Sequence, residues 1–226
     1  MLEAMLHSPF FGLTLTAAAW AVGIWVQRRT KFILCNPIVI ATALVIVFLV
    51  AFRIPYAVYA ASAEPVRMML GPVTAVLALN IYNQRRILKD YFLAVLLGCF
   101  AGSLTSLCSV LLLCRLFQME ELLTVSLLPK SVTAAIALSI VDSQGGVAGV
   151  AAAAGMITGM LGAILVPQFA KLFHITDPVA EGLAIGSCSH ALGTTKAMEI
   201  GKIQGAMSSI AICVCGIITS VLVLFF

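Results

Sequence analysis

The sequence predicts an all-α, polytopic transmembrane helical bundle of about seven or eight segments. Hydrophobic residues make up 62% of the 226 residues and charged residues only 10%, whereas soluble domains carry about 25% charged residues. The mean hydropathy is +1.13, and the apolar residues fall into runs near the roughly 20 residues that a helix needs to cross a bilayer. We therefore expect one integral membrane domain over residues 1–226, multi-pass in the lipid bilayer of the inner (plasma) membrane.

The first two apolar runs predict uninterrupted spans. Phe10 to Val26 is apolar and ends at a basic cluster. The residues before it lack the basic segment of a signal peptide, and no small-residue cleavage site follows, so we expect this run to be retained. Asn36-Pro37 opens a second run that ends at Phe52. The aromatic segment 53–68 then predicts an interfacial loop or a short surface helix, where tyrosine is favoured.

The next three runs differ in how they are interrupted. The third, from Met69 to Tyr82, is short and carries Gly71-Pro72 near its start. The fourth, from Tyr91 to about Leu116, has no proline. The fifth, from Leu122 to Val141, contains Pro129-Lys130 in its middle. Because proline cannot donate the helical hydrogen bond, we expect the third and fifth runs to be discontinuous.

The last three runs are rich in small residues. The sixth, from Val147 to Phe173, contains glycines that favour close helix packing over contact with lipid. The seventh starts at Val179, passes through Ser189-His190, and gives way to the charged stretch 196–202. The last span runs from Gly205 to Phe226.

Basic residues concentrate in alternate loops, which predicts the orientation. Under the positive-inside rule the richer side is cytoplasmic, which puts both termini outside if all the runs cross. A re-entrant broken run would reverse everything after it. The net charge of +4 therefore indicates membrane orientation and not nucleic-acid binding. The richer loops contain Arg28, Arg29, Lys31, Arg85, Arg86, Lys89, Lys196 and Lys202.

Three stretches resemble one another and suggest internal repeats, with chance similarity in an Ala- and Val-rich chain as the alternative. They are residues 73–81, residues 132–140 and, more faintly, residues 193–200. Each copy begins at a helix-breaking site with a capping Ser or Thr nearby, which is the pattern of a discontinuous transmembrane helix. Transporters use such helices to aim half-helix N-termini at anionic substrates. We expect the breaks to converge at mid-depth near Pro72, Pro129 and His190.

Two side chains in these segments are candidates for binding an anion. Lys130 lies within an apolar run, where a charge is costly and marks function; alternatively it starts the run and snorkels to the interface. His190, flanked by small residues, suits anion binding or proton transfer; alternatively it is a packing histidine bonded to a neighbouring carbonyl. Lys196 and Glu199 are spaced to pair on one helix face, and an interfacial ion pair is the favoured interpretation.

We therefore predict a substrate-binding group and no catalytic centre. The sequence shows no nucleophile motif, phosphate loop or carboxylate pair, so enzymatic activity is not expected. Its seven cysteines lie mostly in apolar runs without metal-binding spacing, and we predict no metal, no cofactor and no disulfide. The predicted substrate-binding residues are Pro72, Thr74, Lys130, Ser131, Thr133, His190, Gly193 and Thr194.

Several of these residues lie in stretches that resemble the LrgB/CidB family. LPKSVT at 128–133 and GLAIG at 182–186 running into SHALGT at 189–194 are similar to two signature stretches of that family, and residues 71–84 are similar to a third. The resemblance extends from Asn36-Pro37 to the C-terminus. The chain departs from the family pattern where Ala134-Ala135 replaces Thr-Pro, Asn80 replaces Pro and Lys196 replaces Arg. We expect the two missing prolines to soften two kinks.

The resemblance implies two functional descriptions. Bacterial family members are described as antiholin- or holin-like regulators of murein hydrolase activity and autolysis, acting with a small LrgA/CidA-type membrane protein. Others transport small monocarboxylates such as pyruvate, glycolate and glycerate. The broken helices, Lys130 and His190 favour a monocarboxylate transporter that is linked to autolysis indirectly. A holin-like regulator and a structural subunit without transport are the alternatives, and a homo-oligomer is expected.

Overall fold

The computed structural model describes residue 6, residues 8–30 and residues 36–225, except the side chains of Thr74, Leu77 and Asn80. Lys31 and Cys35, which the orientation and cysteine predictions include, lie outside the described residues. Within them the chain forms α-helices and one 3-10 turn, without strands, which confirms the predicted all-α helical bundle. The chain divides into two compact units, Met1–Val73 and Thr74–Phe226. The prediction of one domain over the whole chain stays a prediction.

The first unit contains two apolar helices and two short ones. These are α1 (Pro9–Thr30), α2 (Pro37–Ala51), α3 (Tyr56–Ser62) and α4 (Glu64–Met68). Asn36 caps α2 through its side-chain oxygen, which accepts a hydrogen bond from the Ile38 amide at 2.9 Å. Ala19, Val45 and Leu49 form the buried cluster between α1 and α2. The segment after Phe52 is thus helical, which is one of the two predicted alternatives, and its position at the membrane surface stays a prediction.

The third apolar run forms the single helix α5 (Leu70–Asn83). The predicted break near Pro72 is therefore wrong. Pro72 lies in the first turn, where helical N–H groups have no acceptor within the helix, so a missing donor costs nothing. The helical structure is instead interrupted before this run begins to coil, at Met69 between α4 and α5. Residue 80 lies inside α5, so the chain remains helical where the family pattern has proline.

The second unit continues with seven helices and a 3-10 turn. They are α6 (Arg85–Asp90), α7 (Phe92–Leu116), α8 (Glu121–Leu127), the 3-10 turn (Leu128–Ser131), α9 (Ala134–Gln144), α10 (Ala148–Leu172), α11 (Pro178–Ile200) and α12 (Lys202–Val223). One buried cluster joins α7, α11 and α12 through residues such as Cys99, Leu183 and Met207. A second joins α7, α9 and α12 around Leu107 and Ile140. These clusters hold the broken segments against the two long helices α7 and α12.

Four described helices are long and apolar enough to cross a membrane: α1, α7, α10 and α12, of 22, 25, 25 and 22 residues. Two shorter apolar helices, α2 and α9, have 15 and 11 residues. The chain is thus a multi-pass membrane protein. The number of crossings beyond these four stays a prediction.

Helix α6 carries the basic cluster that sets the predicted orientation. The Arg85 guanidinium lies 4.4 Å from the centre of the Tyr82 ring and donates to the Tyr82 carbonyl at 3.0 Å. An aromatic ring beside an arginine is typical of a membrane interface.

We expect Arg86→Cys to resist an impermeant thiol reagent added outside intact cells, and Gln118→Cys, beyond the far end of α7, to react. Labelling of Arg86→Cys from outside, above the background of the parent protein, would contradict the orientation.

Candidate functional site

The fifth run is interrupted at Pro129, as predicted. Helix α8 ends at Leu127, the chain makes a 3-10 turn, and Val132 is extended with φ −121° and ψ 174° before α9 begins. Pro129 lies at the start of the turn, where its ring and missing N–H prevent α8 from continuing. Lys130 and Ser131 are thereby placed in the turn between two half-helices.

The seventh run is interrupted at His190, also as predicted. Within α11 this residue has φ 39° and ψ −132°, outside the helical region. The other non-glycine residues with positive φ among those described, Arg53, Gln118 and His174, follow the last turn of a helix. A side-chain-bearing residue in such a conformation costs about 1–3 kcal/mol and persists when its surroundings enforce it. The strain at His190 therefore points to a functional position.

The two interruptions contact each other. The His190 ring, only 7% exposed, has Nε2 at 3.2 Å from the backbone carbonyl of Lys130. A carbonyl only accepts, so Nε2 carries the hydrogen. This contact fits the alternative of a histidine bonded to a neighbouring carbonyl, while its role in binding an anion stays a prediction. The breaks at Pro129 and His190 therefore meet, as predicted, while their depth in the membrane stays a prediction. Pro72 belongs to the first unit, and α5 is not broken there.

Glycines on α10 make room for this contact. A Cβ added at Gly159 would lie 3.1 Å from Cε1 of His190, tighter than ordinary contact. At Gly162 an added Cβ would lie 3.2 Å from the Cys188 carbonyl. At Gly155 it would lie 3.7 Å from the Lys130 carbonyl, an ordinary distance. The small-residue face predicted for the sixth run therefore packs against α11 and borders the turn.

The Lys130 ammonium is half-buried and has hydroxyl neighbours. Its Nζ donates to Ser106 Oγ of α7 over a long 3.4 Å, and Ser106 Oγ is 2.7 Å from Ser131 Oγ. Within the described part of the chain no carboxylate forms an ion pair with Lys130; the described ion pair joins Lys196 to Glu199 at 2.8 Å. The predicted pairing of those two residues is thus confirmed, while its location at a membrane interface stays a prediction. The positive charge of Lys130 is thus left without a counter-charge from the described residues.

Hydroxyl groups also hold the break in α11 to α12. Thr194 Oγ1 donates to the His190 carbonyl at 2.9 Å and lies 2.7 Å from Ser208 Oγ. Because Thr194 uses its one hydrogen on the carbonyl, Ser208 donates to Thr194. Ser208 is fully buried and Thr194 only 6% exposed. Gly193 is also buried, and a Cβ there would overlap Ser189. The chain of hydrogen bonds therefore fixes the carbonyl at the break.

Two buried hydroxyls beside the interruptions have no hydrogen-bond partner among the described residues. Thr133 Oγ1 belongs to the N-cap residue of α9 but makes no capping bond. Ser189 Oγ immediately precedes the break in α11. An unsatisfied buried polar group costs about 1–3 kcal/mol, and such groups are typical of sites that bind a ligand or water.

The structure thus brings six of the predicted residues to the two interruptions of the second unit: Lys130, Ser131, Thr133, His190, Gly193 and Thr194. Pro72 lies in the first unit, and the side chain of Thr74 is outside the described residues. Sequence reasoning missed Ser106 and Ser208, which reach the site from α7 and α12. A serine within an apolar helix was the only available signal.

The hydrogen-bond chain through Ser208 predicts a mutational effect. Ser208→Ala removes the hydroxyl that donates to Thr194, so the break in α11 is held less firmly against α12. We expect the free energy of unfolding to fall by about 1–2 kcal/mol. Thermal unfolding of the purified protein measures it. Ser209→Ala is the matched control, because Ser209 donates only to the Gly205 carbonyl of its own helix at 2.9 Å. Equal melting temperatures for the two variants would contradict a bracing role for Ser208.

Comparison with known proteins gives consistent matches over nearly the whole chain. The profile of the LrgB-like family matches residues 16–226. "Antiholin-like protein LrgB" of Bacillus subtilis (strain 168) is 34% identical over 213 residues, covering 94% of this chain and 92% of that protein. The proteins of the same description from Bacillus cereus (strain B4264) and Bacillus anthracis (strain CDC 684 / NRRL 3495) are each 31% identical, covering 97% of this chain and 96% of theirs. No solved structure matches significantly.

Proposed function

This chain belongs to the LrgB-like family, and we propose that it transports small monocarboxylates of the pyruvate, glycolate and glycerate class across the membrane. The observation that carries the proposal is the ammonium of Lys130, which lies between two half-helices without a carboxylate partner in the described residues. A charge at membrane depth is costly unless it is paired or solvated. A substrate carboxylate would supply the missing negative charge.

The backbone around Lys130 favours the same ligand. Helix α9 starts at Ala134, and the second half of α11 starts just after His190. Helix N-termini carry a partial positive charge and unpaired N–H donors. Discontinuous helices in transporters present such ends to anionic substrates. The buried, unpartnered hydroxyl of Thr133 adds a further polar group beside one of these ends.

His190 is the second ligand in this proposal. Its ring now donates to the Lys130 carbonyl, and a bound carboxylate would compete for that hydrogen. Imidazole gains or loses a proton near neutral pH in its unperturbed state. A proton taken up with the substrate would couple transport to the proton gradient.

The name of the relatives supports a second candidate function. The Bacillus proteins are named antiholin-like, so a role in regulating murein hydrolase activity and autolysis belongs among the proposals for this chain. In that case the chain acts in the inner (plasma) membrane as a homo-oligomer, with a small LrgA/CidA-type membrane protein as partner. A transporter would influence autolysis indirectly, through carboxylate metabolism or proton balance.

Purified protein in liposomes separates the two functions. We expect it to take up labelled pyruvate, glycolate or glycerate, with uptake saturating as concentration rises, while trapped carboxyfluorescein stays inside. A lesion-forming protein would release the dye. Absence of uptake for all three acids, in protein shown to be folded by its cooperative thermal unfolding, would overturn the transporter proposal.

A further inference from the structure

We propose that Ser106 of α7 is a specificity-determining residue: with Ser131 it forms a hydroxyl pair beside Lys130 that binds the second oxygen-bearing group of the substrate. The inference rests on the proposed transport function. It adds to the site a residue of α7, a helix that contains none of the predicted substrate-binding residues.

The geometry places three polar groups from two elements at one point. Ser106 Oγ is 3.4 Å from Lys130 Nζ and 2.7 Å from Ser131 Oγ. Ser131 is 7% exposed, while Ser106 and Lys130 are half-buried. Ser131 is thus buried, whereas Ser106 and Lys130 each keep part of their surface exposed.

A count of hydrogens shows what this group still lacks. Each serine hydroxyl has one hydrogen, and one of the two hydrogens joins Ser106 to Ser131. Whichever serine donates, the other keeps a free hydrogen. The Lys130 ammonium has three hydrogens and uses one on Ser106. Three donors thus remain, with no acceptor for them among the hydrogen bonds described, so an acceptor-rich anion suits the group.

The hydroxyl pair would let one site take both keto and hydroxy acids. A hydroxyl rotates freely and both donates and accepts. Toward a 2-oxo group the pair donates its free hydrogen; toward a 2-hydroxy group it rotates and accepts. Lys130 holds the carboxylate in both cases. Acetate has a carboxylate but no second oxygen-bearing group, and so gains nothing from the pair.

The test compares glycolate with acetate, which differ by one hydroxyl. Inhibition constants of both acids against labelled pyruvate uptake are measured in liposomes for the wild type, Ser106→Ala, Ser106→Thr and Ser109→Ala. We expect Ser106→Ala to raise the inhibition constant of glycolate about tenfold and to leave that of acetate unchanged. Ser106→Thr should restore glycolate binding. Ser109→Ala is the matched control, since Ser109 donates only to the Ser106 carbonyl at 2.8 Å on an exposed face.

Different outcomes separate the two proposals. If Ser106→Ala weakens the binding of glycolate and acetate equally, or changes neither inhibition constant, the role of Ser106 is overturned. The transport proposal would still stand. A wild type that binds acetate as tightly as glycolate overturns the role of Ser106 as well. If Ser106→Ala does not fold, Ser131→Ala removes the same pair from the other side and must lower the glycolate preference. Absence of any carboxylate uptake by the wild type overturns the transport function itself.

Discussion

Replacing Lys130 with glutamine should lower monocarboxylate uptake by about 100-fold. Removing one partner of a desolvated charge pair costs about 2–5 kcal/mol, and each 1.4 kcal/mol is about tenfold in affinity. Glutamine keeps much of the length and polarity of the side chain and removes only the charge, so the protein should still insert. The loss should appear in the concentration dependence of uptake by purified protein in liposomes.

Lys196→Gln is the matched control for this experiment. Lys196 pairs with Glu199 on an exposed face of α11, and an exposed ion pair contributes little, about 0–1 kcal/mol. Its uptake should stay near that of the wild type. If Lys130→Gln transports with unchanged affinity and rate, the charge is not part of the site, and Lys130 snorkels to the interface instead.

Gly186→Ala should strongly destabilise the second unit by adding one methyl group between α11 and α12. A Cβ at this position would lie 2.5 Å from the Ser208 carbonyl oxygen and 2.7 Å from the Ala211 Cβ. Both belong to α12, and neither is a flexible side-chain end, so α11 and α12 must separate. We expect a loss of about 1–3 kcal/mol in the free energy of unfolding and a lower yield of folded protein. The shift should also weaken the Thr194–Ser208 hydrogen bond, and with it uptake.

Gly149→Ala tests whether any added methyl group has this effect. No atom lies within 4 Å of a Cβ built at Gly149, which is exposed in the first turn of α10. Alanine is the better helix former by about 1 kcal/mol, so this variant should be neutral or slightly more stable. A melting temperature for Gly186→Ala equal to that of Gly149→Ala would show that α11 and α12 are not in such close contact.

The positions of the breaks show how far local sequence determines this fold. Pro129 interrupts its run because it follows a complete helix, α8, whose next turn needs an N–H donor. Pro72 has no such helix before it within its own run. It lies in the first turn of α5 and interrupts nothing. The same residue type therefore breaks one helix and begins another. The distance from the preceding helix decides between the two outcomes, and composition alone does not reveal it.

The candidate site could be predicted from the sequence only at residues that stand out within their own segment. Lys130 and His190 stand out because a charge and an imidazole are rare in apolar runs. Ser106 and Ser208 are ordinary residues of long helices, and only helix packing brings them to the interruptions. Glycines such as Gly186 permit that packing by allowing backbones to approach.

The hydrogen bond between the His190 ring and the Lys130 carbonyl also limits how this protein can move. If the 3-10 turn shifted alone, a buried carbonyl would lose its partner at a cost of about 1–3 kcal/mol. We therefore expect a motion that keeps the turn and the adjoining half of α11 together to cost less than one that separates them. Opening to either side of the membrane would then carry Lys130, Ser131 and His190 together.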